Sequence, residues 1–239
     1  MQSQRVIIHN NKNEKLVGYL YKGTTKTLII VCYGIEAPNE NNIRDLLTPY
    51  FTDIVMRSGA SVYAFDFSGM GESEGDDFIS LRQRDTEIST VINYFSSQYD
   101  KIVLYGFSLG GLSSAIGVLQ NKNIAGLITV NGFFTFKPIY LFQTNLFILF
   151  SYFFTHPRFA RELLYKKKKL QIHNIKVPTL VVYSDNDNFV NPKQSIYFLN
   201  KLSTKKKKAV IKSNDHMLAK EFLQIPPHIA RWMKEEGLV

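Results

Sequence analysis

A serine, a histidine and two aspartates lie in this chain where together they could make a hydroxyl nucleophilic. Gly106-Phe107-Ser108-Leu109-Gly110 follows the apolar run Ile102–Tyr105 directly, and a helix-compatible segment begins at once after it. A G-x-S-x-G set between a strand and a helix holds its serine on a sharp turn at the top of a sheet. The two flanking positions must be small for strand and helix to approach, and Gly106 and Gly110 fill them. A serine hydroxyl is a poor nucleophile at neutral pH, so it needs a base, and the base needs an orienting acid. His216 lies in a loop just past the short strand Ala209–Ile211. The other histidines are worse placed: His9 is near a hairpin, His156 and His173 fall in an apolar insertion, and His228 follows Pro226-Pro227. For the acid, Asp185 and Asp187 share a polar turn at the end of the buried-looking strand Val177–Tyr183. Asp215 adjoins His216, but sequence neighbours seldom point at each other.

The elements that must carry these residues read as strands alternating with helices, which implies a mainly parallel sheet. Arg5–His9 and Leu16–Tyr21 flank Asn10–Asn13 as a hairpin. Thr27–Tyr33, Ser61–Phe65, Ile102–Tyr105, Ile124–Val130, Val177–Tyr183 and Lys207–Ile211 read as further strands. Helical spacing covers Ile43–Ser58, Ser80–Phe95, Leu109–Gln120, Pro192–Leu202 and Met217–Lys234. Three separate strand ends therefore deliver Ser108, an aspartate and His216.

These residues resemble a compact α/β-hydrolase of the group that holds monoglyceride lipases, cinnamoyl and carboxyl esterases and serine aminopeptidase-type hydrolases. Three motifs carry the likeness: the turn Gly106–Gly110; Asp66-Phe-Ser68-Gly69-Met-Gly71-Glu-Ser73, similar to the family's D-x-R-G-x-G-x-S; and Ser184-Asp185-Asn-Asp187, similar to its G-x-x-D. The resemblance implies an α/β-hydrolase fold over 1–133 and 178–239, with a small helical cap over 134–177 inserted between strands six and seven. It places the acid at Asp187 and implies the triad Ser108, Asp187 and His216. It also implies an oxyanion hole from the backbone N–H groups of Leu109 and Ile35. Tyr33 and Phe107 are candidates for the substrate pocket, and Tyr33 could instead simply pack. Ser68 stands where the family usually has Arg, and Tyr33 where it often has His.

The segment Ile139–Phe154 is intensely apolar and aromatic, yet shorter than the roughly 20 residues of a membrane span. As a lid above Ser108 it would hold an acyl chain or aromatic ring beneath Phe147 and Phe150. Packing on the core with no ligand role is an equal reading, and lying on a membrane surface is a third.

At 239 residues, 45% hydrophobic and 21% charged, the chain can bury one substantial core. Its single cysteine, Cys32, excludes an internal disulfide framework, and the short lead into Val6 is no secretory segment. Both point to a cytoplasmic setting. The formal charge is +9, with lysine runs at Lys166–Lys169 and Lys205–Lys208. These suit solvated loops better than a partner site, and a weak membrane or anionic-surface contact through lid and lysines is the alternative. No nucleic-acid motif, dinucleotide fingerprint, Walker A sequence or metal-ligand spacing occurs, so neither cofactor nor metal is implied. The expected function is hydrolysis of carboxylic esters through an acyl-enzyme, in the manner of a carboxylesterase or lipase. Thioesters and amides suit the same triad. A catalytically silent hydrolase-fold binding protein is the rival from another class.

Overall fold

The computed structural model of the chain describes residues 2–34, 42–75, 80–135, 162 and 170–239, and for 42–46 the backbone alone. Short runs dense in Ile, Val, Leu and Tyr form the strands β1 (Gln4–His9), β2 (Lys15–Tyr21), β3 (Thr27–Cys32), β4 (Ser61–Phe65), β5 (Lys101–Phe107), β6 (Ile124–Val130), β7 (Thr179–Ser184) and β8 (Lys206–Ile211). They make one sheet in the order β1-β2-β4-β3-β5-β6-β7-β8. β1 and β2 pair antiparallel, as do β2 and β4, and the six strands from β4 to β8 in that order run parallel. The β1–β2 turn is built by Asn10, whose Oδ1 accepts from the N–H of Lys12 and Glu14, and by Asn13 at a φ of 62°.

Helices cover both faces. α1 (Asn42–Ser58) and α5 (Ile225–Glu235) lie on one side; α2 (Leu81–Phe95), α3 (Leu109–Gln120) and α4 (Lys193–Lys201) lie on the other. The two-residue repeat of a strand sorts its side chains between them. In β3, Leu28, Ile30 and Cys32 pack towards α2 and α3, while Ile29 and Val31 pack towards α1 and α5. Strands buried on both faces need continuous apolar runs, which is why β3, β5 and β7 were legible as such.

One boundary differs from the expectation. The last helix begins at Ile225, not Met217: residues 217–224 form turns and a 3₁₀ segment, Phe222–Gln224. Leu218 has a φ of 55°, outside the helical region. Pro226 and Pro227 sit at the start of α5, where their missing N–H groups would have had no intrahelical partner anyway. The lysine run 205–208 also differs from a solvated loop. It leads into the edge strand β8, where Lys205 and Lys207 pair with Glu236 and Glu235, and Lys206 Nζ donates to the carbonyls of Leu199 and Leu202. Lysines there also discourage pairing of the exposed edge with another chain.

The expected cap falls between β6 and β7. Residues 136–161 and 163–169, with Phe147, Phe150 and the first lysine run, lie outside the described residues, as does Ile35. The N-terminal flank is tied to α4: Phe134 stacks on Phe198 at 4.0 Å between centroids, and the N–H groups of Phe134 and Thr135 donate to Gln194 Oε1. Glu162 sets its carboxylate against the first N–H groups of α2, those of Leu81 and Arg82, beside the capping Ser80.

Candidate active site

Parallel strands deliver their C-terminal ends to one edge of the sheet, and the candidate residues gather there. Ser108 bridges β5 and α3 at φ 54° and ψ −124°, a backbone conformation unfavourable to any residue with a Cβ. The turn is pinned from three sides. Ser108 N donates to the Val130 carbonyl at 2.9 Å, and the Ser108 carbonyl accepts from Gly111 N and Phe133 N at 3.0 and 3.1 Å. The flanking glycines are needed for close approach. A Cβ on Gly106 would stand 2.4 Å from the Gly110 carbonyl oxygen, and one on Gly110 would stand 2.0 Å from that of Cys32. Leu109 is the first helical residue, so its N–H has no acceptor within α3 and is available at the turn.

The β7 and β8 loops are joined by backbone bonds from Asp185, Asn186 and Asn188 to Ile211, Ser213 and Asn214. This brings His216 to Asp187, with Nδ1 2.7 Å from Asp187 Oδ2. The other carboxylate oxygen accepts from Phe189 N and Val190 N, both at 2.8 Å, and Asp187 is only 4% exposed. A buried carboxylate held by two amides and an imidazole is fixed in direction as well as in charge. Asp185 does different work: its Oδ1 accepts from Ser213 N. Asp215 likewise bonds the N–H groups of Met217 and Ala219, not the imidazole. The His216 ring lies between Phe107 and Phe189, with centroids 5.2 and 5.1 Å away.

A cavity of about 40 Å³ opens between this edge, α1 and the 217–225 turns. Tyr33 and Phe107 line it, with Leu47, Phe222 and the residues next to His216, Met217 and Leu218. Tyr50 and Tyr105 also line it and share a hydroxyl hydrogen bond of 2.9 Å. Burial pushes both phenols well above their ordinary range, so they stay neutral and the cavity wall carries no charge. Among the described residues, no three of His, Cys, Asp and Glu are grouped as a metal would require. No helix among them is long and apolar enough to cross a membrane.

Asp66 has a structural part. Its carboxylate accepts from Glu72 N and its carbonyl from the Ser73 hydroxyl, closing the loop after β4. Ser68, at the family's Arg position, bonds the fully buried Glu87 carboxylate, which Asn10 and Gln83 also meet. Neutral donors thus surround this buried carboxylate.

Two residues escaped sequence reasoning. Asn131, at a φ of 45°, donates to the His216 carbonyl at 2.8 Å and to Ser184 Oγ, tying β6 to the histidine loop. Arg84 is 2% exposed and donates to the carbonyl of Gly34 at 2.8 Å. Its signal was a cation in the apolar stripe Leu81, Ile88, Ile92, Phe95 of a helix.

The model of the family described as serine aminopeptidase, S33, matches residues 48–169. An Escherichia coli relative, described as an uncharacterized 31.7 kDa protein in the traX-finO intergenic region, is 31% identical over 107 residues, 43% of this chain and 36% of that protein. The chain thus spans about a third of the length of the curated relatives it matches. Among solved structures, DcsB in complex with its substrate analogue is similar with a TM-score of 0.77 and 17% identity, over 98% of this chain and 99% of that one. Est1E from Butyrivibrio proteoclasticus, with ferulic acid bound, is similar with a TM-score of 0.74 and 17% identity, over 98% of this chain and all (100%) of that one. At these identities the likeness concerns the fold.

Proposed function

The chain belongs to the serine aminopeptidase S33 family of α/β-hydrolases, and within that family we propose that it cleaves carboxylic esters with Ser108 as nucleophile, His216 as base and Asp187 as orienting acid. The observation that carries this reading is the 2.7 Å contact of His216 Nδ1 with the buried Asp187 carboxylate. With Nδ1 committed as donor, Nε2 is the lone-pair nitrogen that takes the Ser108 proton as Oγ attacks the ester carbonyl. The tetrahedral intermediate places its oxyanion against the N–H groups of Leu109 and Ile35. Collapse breaks the bond to the alkoxy oxygen, which takes the proton from His216, and the acyl group stays on Ser108. Water, deprotonated by the same imidazole, then releases the acid.

Esters are favoured over amides by the likeness to Est1E, whose bound ferulic acid is an aromatic carboxylic acid. The cavity lined by Tyr33, Phe107 and Phe222 suits a short apolar group, and each methylene buried in it should contribute about 0.8 kcal/mol until it is full. For p-nitrophenyl esters kcat/KM should therefore rise from acetate to butyrate and fall for longer chains. Phe222→Ala, which widens the cavity, should move the optimum to longer chains while changing acetate turnover by less than about threefold. An optimum that stays in place would assign the acyl group to another wall, with the cap aromatics Phe147 and Phe150 next in line. The basic test is turnover of p-nitrophenyl acetate by the purified chain. A folded chain inert towards esters, thioesters and anilides alike would favour a silent binding protein.

A further inference from the structure

We propose that Asn131 is a positioning residue for the base: from the bend that clamps the nucleophile, its side-chain amide holds the main chain of His216 and so fixes how far the imidazole stands from Ser108. This rests on Ser108 and His216 being nucleophile and base. The order of the sheet creates the need. Ser108 follows β5 and His216 follows β8, with β6 and β7 between them. Neighbouring strands lie about 4.8 Å apart, so the two strand ends stand roughly 14 Å from one another. The β8 loop must therefore lean back over β7 and β6 to bring its imidazole to the hydroxyl. Asn131 directly follows β6, on that path.

The bend is bonded to both partners. On one side, Ser108 N donates to the Val130 carbonyl at 2.9 Å and Phe133 N donates to the Ser108 carbonyl at 3.1 Å. On the other, Asn131 Nδ2 donates to the His216 carbonyl at 2.8 Å. The amide is itself held. It is buried, its Oδ1 accepts from Ser184 N at 2.8 Å, and Nδ2 also donates to Ser184 Oγ at 3.1 Å. The Asn131 backbone N–H donates to the Val182 carbonyl at 3.1 Å. The amide can face only one way, because Ser184 N can only donate and the His216 carbonyl can only accept. The φ of 45° does not by itself call for asparagine, since glycine adopts it with less strain. What glycine lacks is the amide that reaches His216. The other bonds to this residue come from the β7 loop: Asp187 meets the ring, and Asn188 Oδ1 accepts from His216 N at 3.3 Å. They orient the imidazole relative to β7, and the bend after β6 refers it to Ser108.

The test compares Asn131→Gly and Asn131→Asp with the wild type on p-nitrophenyl acetate, with rates normalised to active sites titrated to completion by a fluorophosphonate. Thermal melts check that each variant is folded at the assay temperature. Glycine accepts the backbone conformation and removes the amide. Aspartate also tolerates that conformation and keeps an oxygen for Ser184 N, but sets a repelling oxygen against the His216 carbonyl. A misplacement of about 1 Å in a reacting group costs on the order of 10²-fold in rate. Both variants should therefore lose between about 10-fold and 10²-fold in kcat, with KM within about threefold. The rate constant of fluorophosphonate labelling should fall by a similar factor, since that reaction needs the same proton transfer. Turnover per titrated site within about threefold of wild type in either folded variant, a loss confined to KM, or labelling at the wild-type rate would reduce the amide to a packing contact and overturn the proposal. If one variant does not fold, the other decides; if neither folds, Asn131 is a structural residue and the proposal fails. A wild type that does not react with the fluorophosphonate would remove the serine reading itself, and this proposal with it, before any Asn131 variant is made.

Discussion

Ser108→Ala should lower kcat on a p-nitrophenyl ester by about 10³-fold or more, because the members of a triad act as a unit and what survives comes from binding and the oxyanion hole. The variant should fold as the wild type does. The three backbone bonds that pin residue 108 use its N–H and carbonyl, which alanine keeps. Alanine also keeps the Cβ and hence the strain of φ 54°. Ser108→Gly removes hydroxyl and strain together. It should be equally inactive yet more stable than Ser108→Ala by roughly 1 kcal/mol, the released strain less the extra entropy of glycine in the unfolded chain. Thermal melts of the two variants read this difference. Equal melting points would mean that the turn is not strained, and unchanged turnover in either variant would move the nucleophile elsewhere.

The second large effect separates two neighbouring acids. Asp187→Asn should lower kcat by roughly 10³-fold or more. The amide oxygen can still accept from Phe189 N and Val190 N, so the turn survives. The amide NH₂ then faces Nδ1 and selects the tautomer with the proton on Nε2, which cannot accept from serine. Asp185→Asn keeps an oxygen for Ser213 N and should change kcat by less than about threefold. Steady-state kinetics of both variants on one ester settle the ranking, and the reverse order would make Asp185 the acid.

What the sequence made legible followed from strong local signals. The two-sided burial of β3, β5 and β7 demands continuous apolar runs, and those runs stood out. The serine turn was legible because the sterics of a strand meeting a helix restrict its neighbours to glycine. Asp187 was separable from Asp185 only through family spacing, since both lie in one turn and what distinguishes them is burial and the direction of a carboxylate. Tertiary contacts hid the rest. Arg84 and Asn131 hold backbone carbonyls distant in sequence, Gly34 and His216, and no periodicity announces a side chain whose partner is someone else's peptide. The start of the last helix was missed for a local reason: apolar spacing from Met217 onward outweighed Pro226-Pro227, whose fixed φ and missing N–H mark a first turn.

The central claim is that Ser108 is activated by His216 and Asp187, and covalent labelling tests it most directly. A fluorophosphonate reacts with a serine whose proton a neighbouring base removes, and an ordinary serine does not react. Intact-mass measurement followed by peptide mapping should find one label per chain, on Ser108. The label should be absent in Ser108→Ala, formed far more slowly in Asp187→Asn, and formed at the wild-type rate in Asp185→Asn. A folded wild-type chain that stays unlabelled, or a label mapped to another serine, would contradict the account.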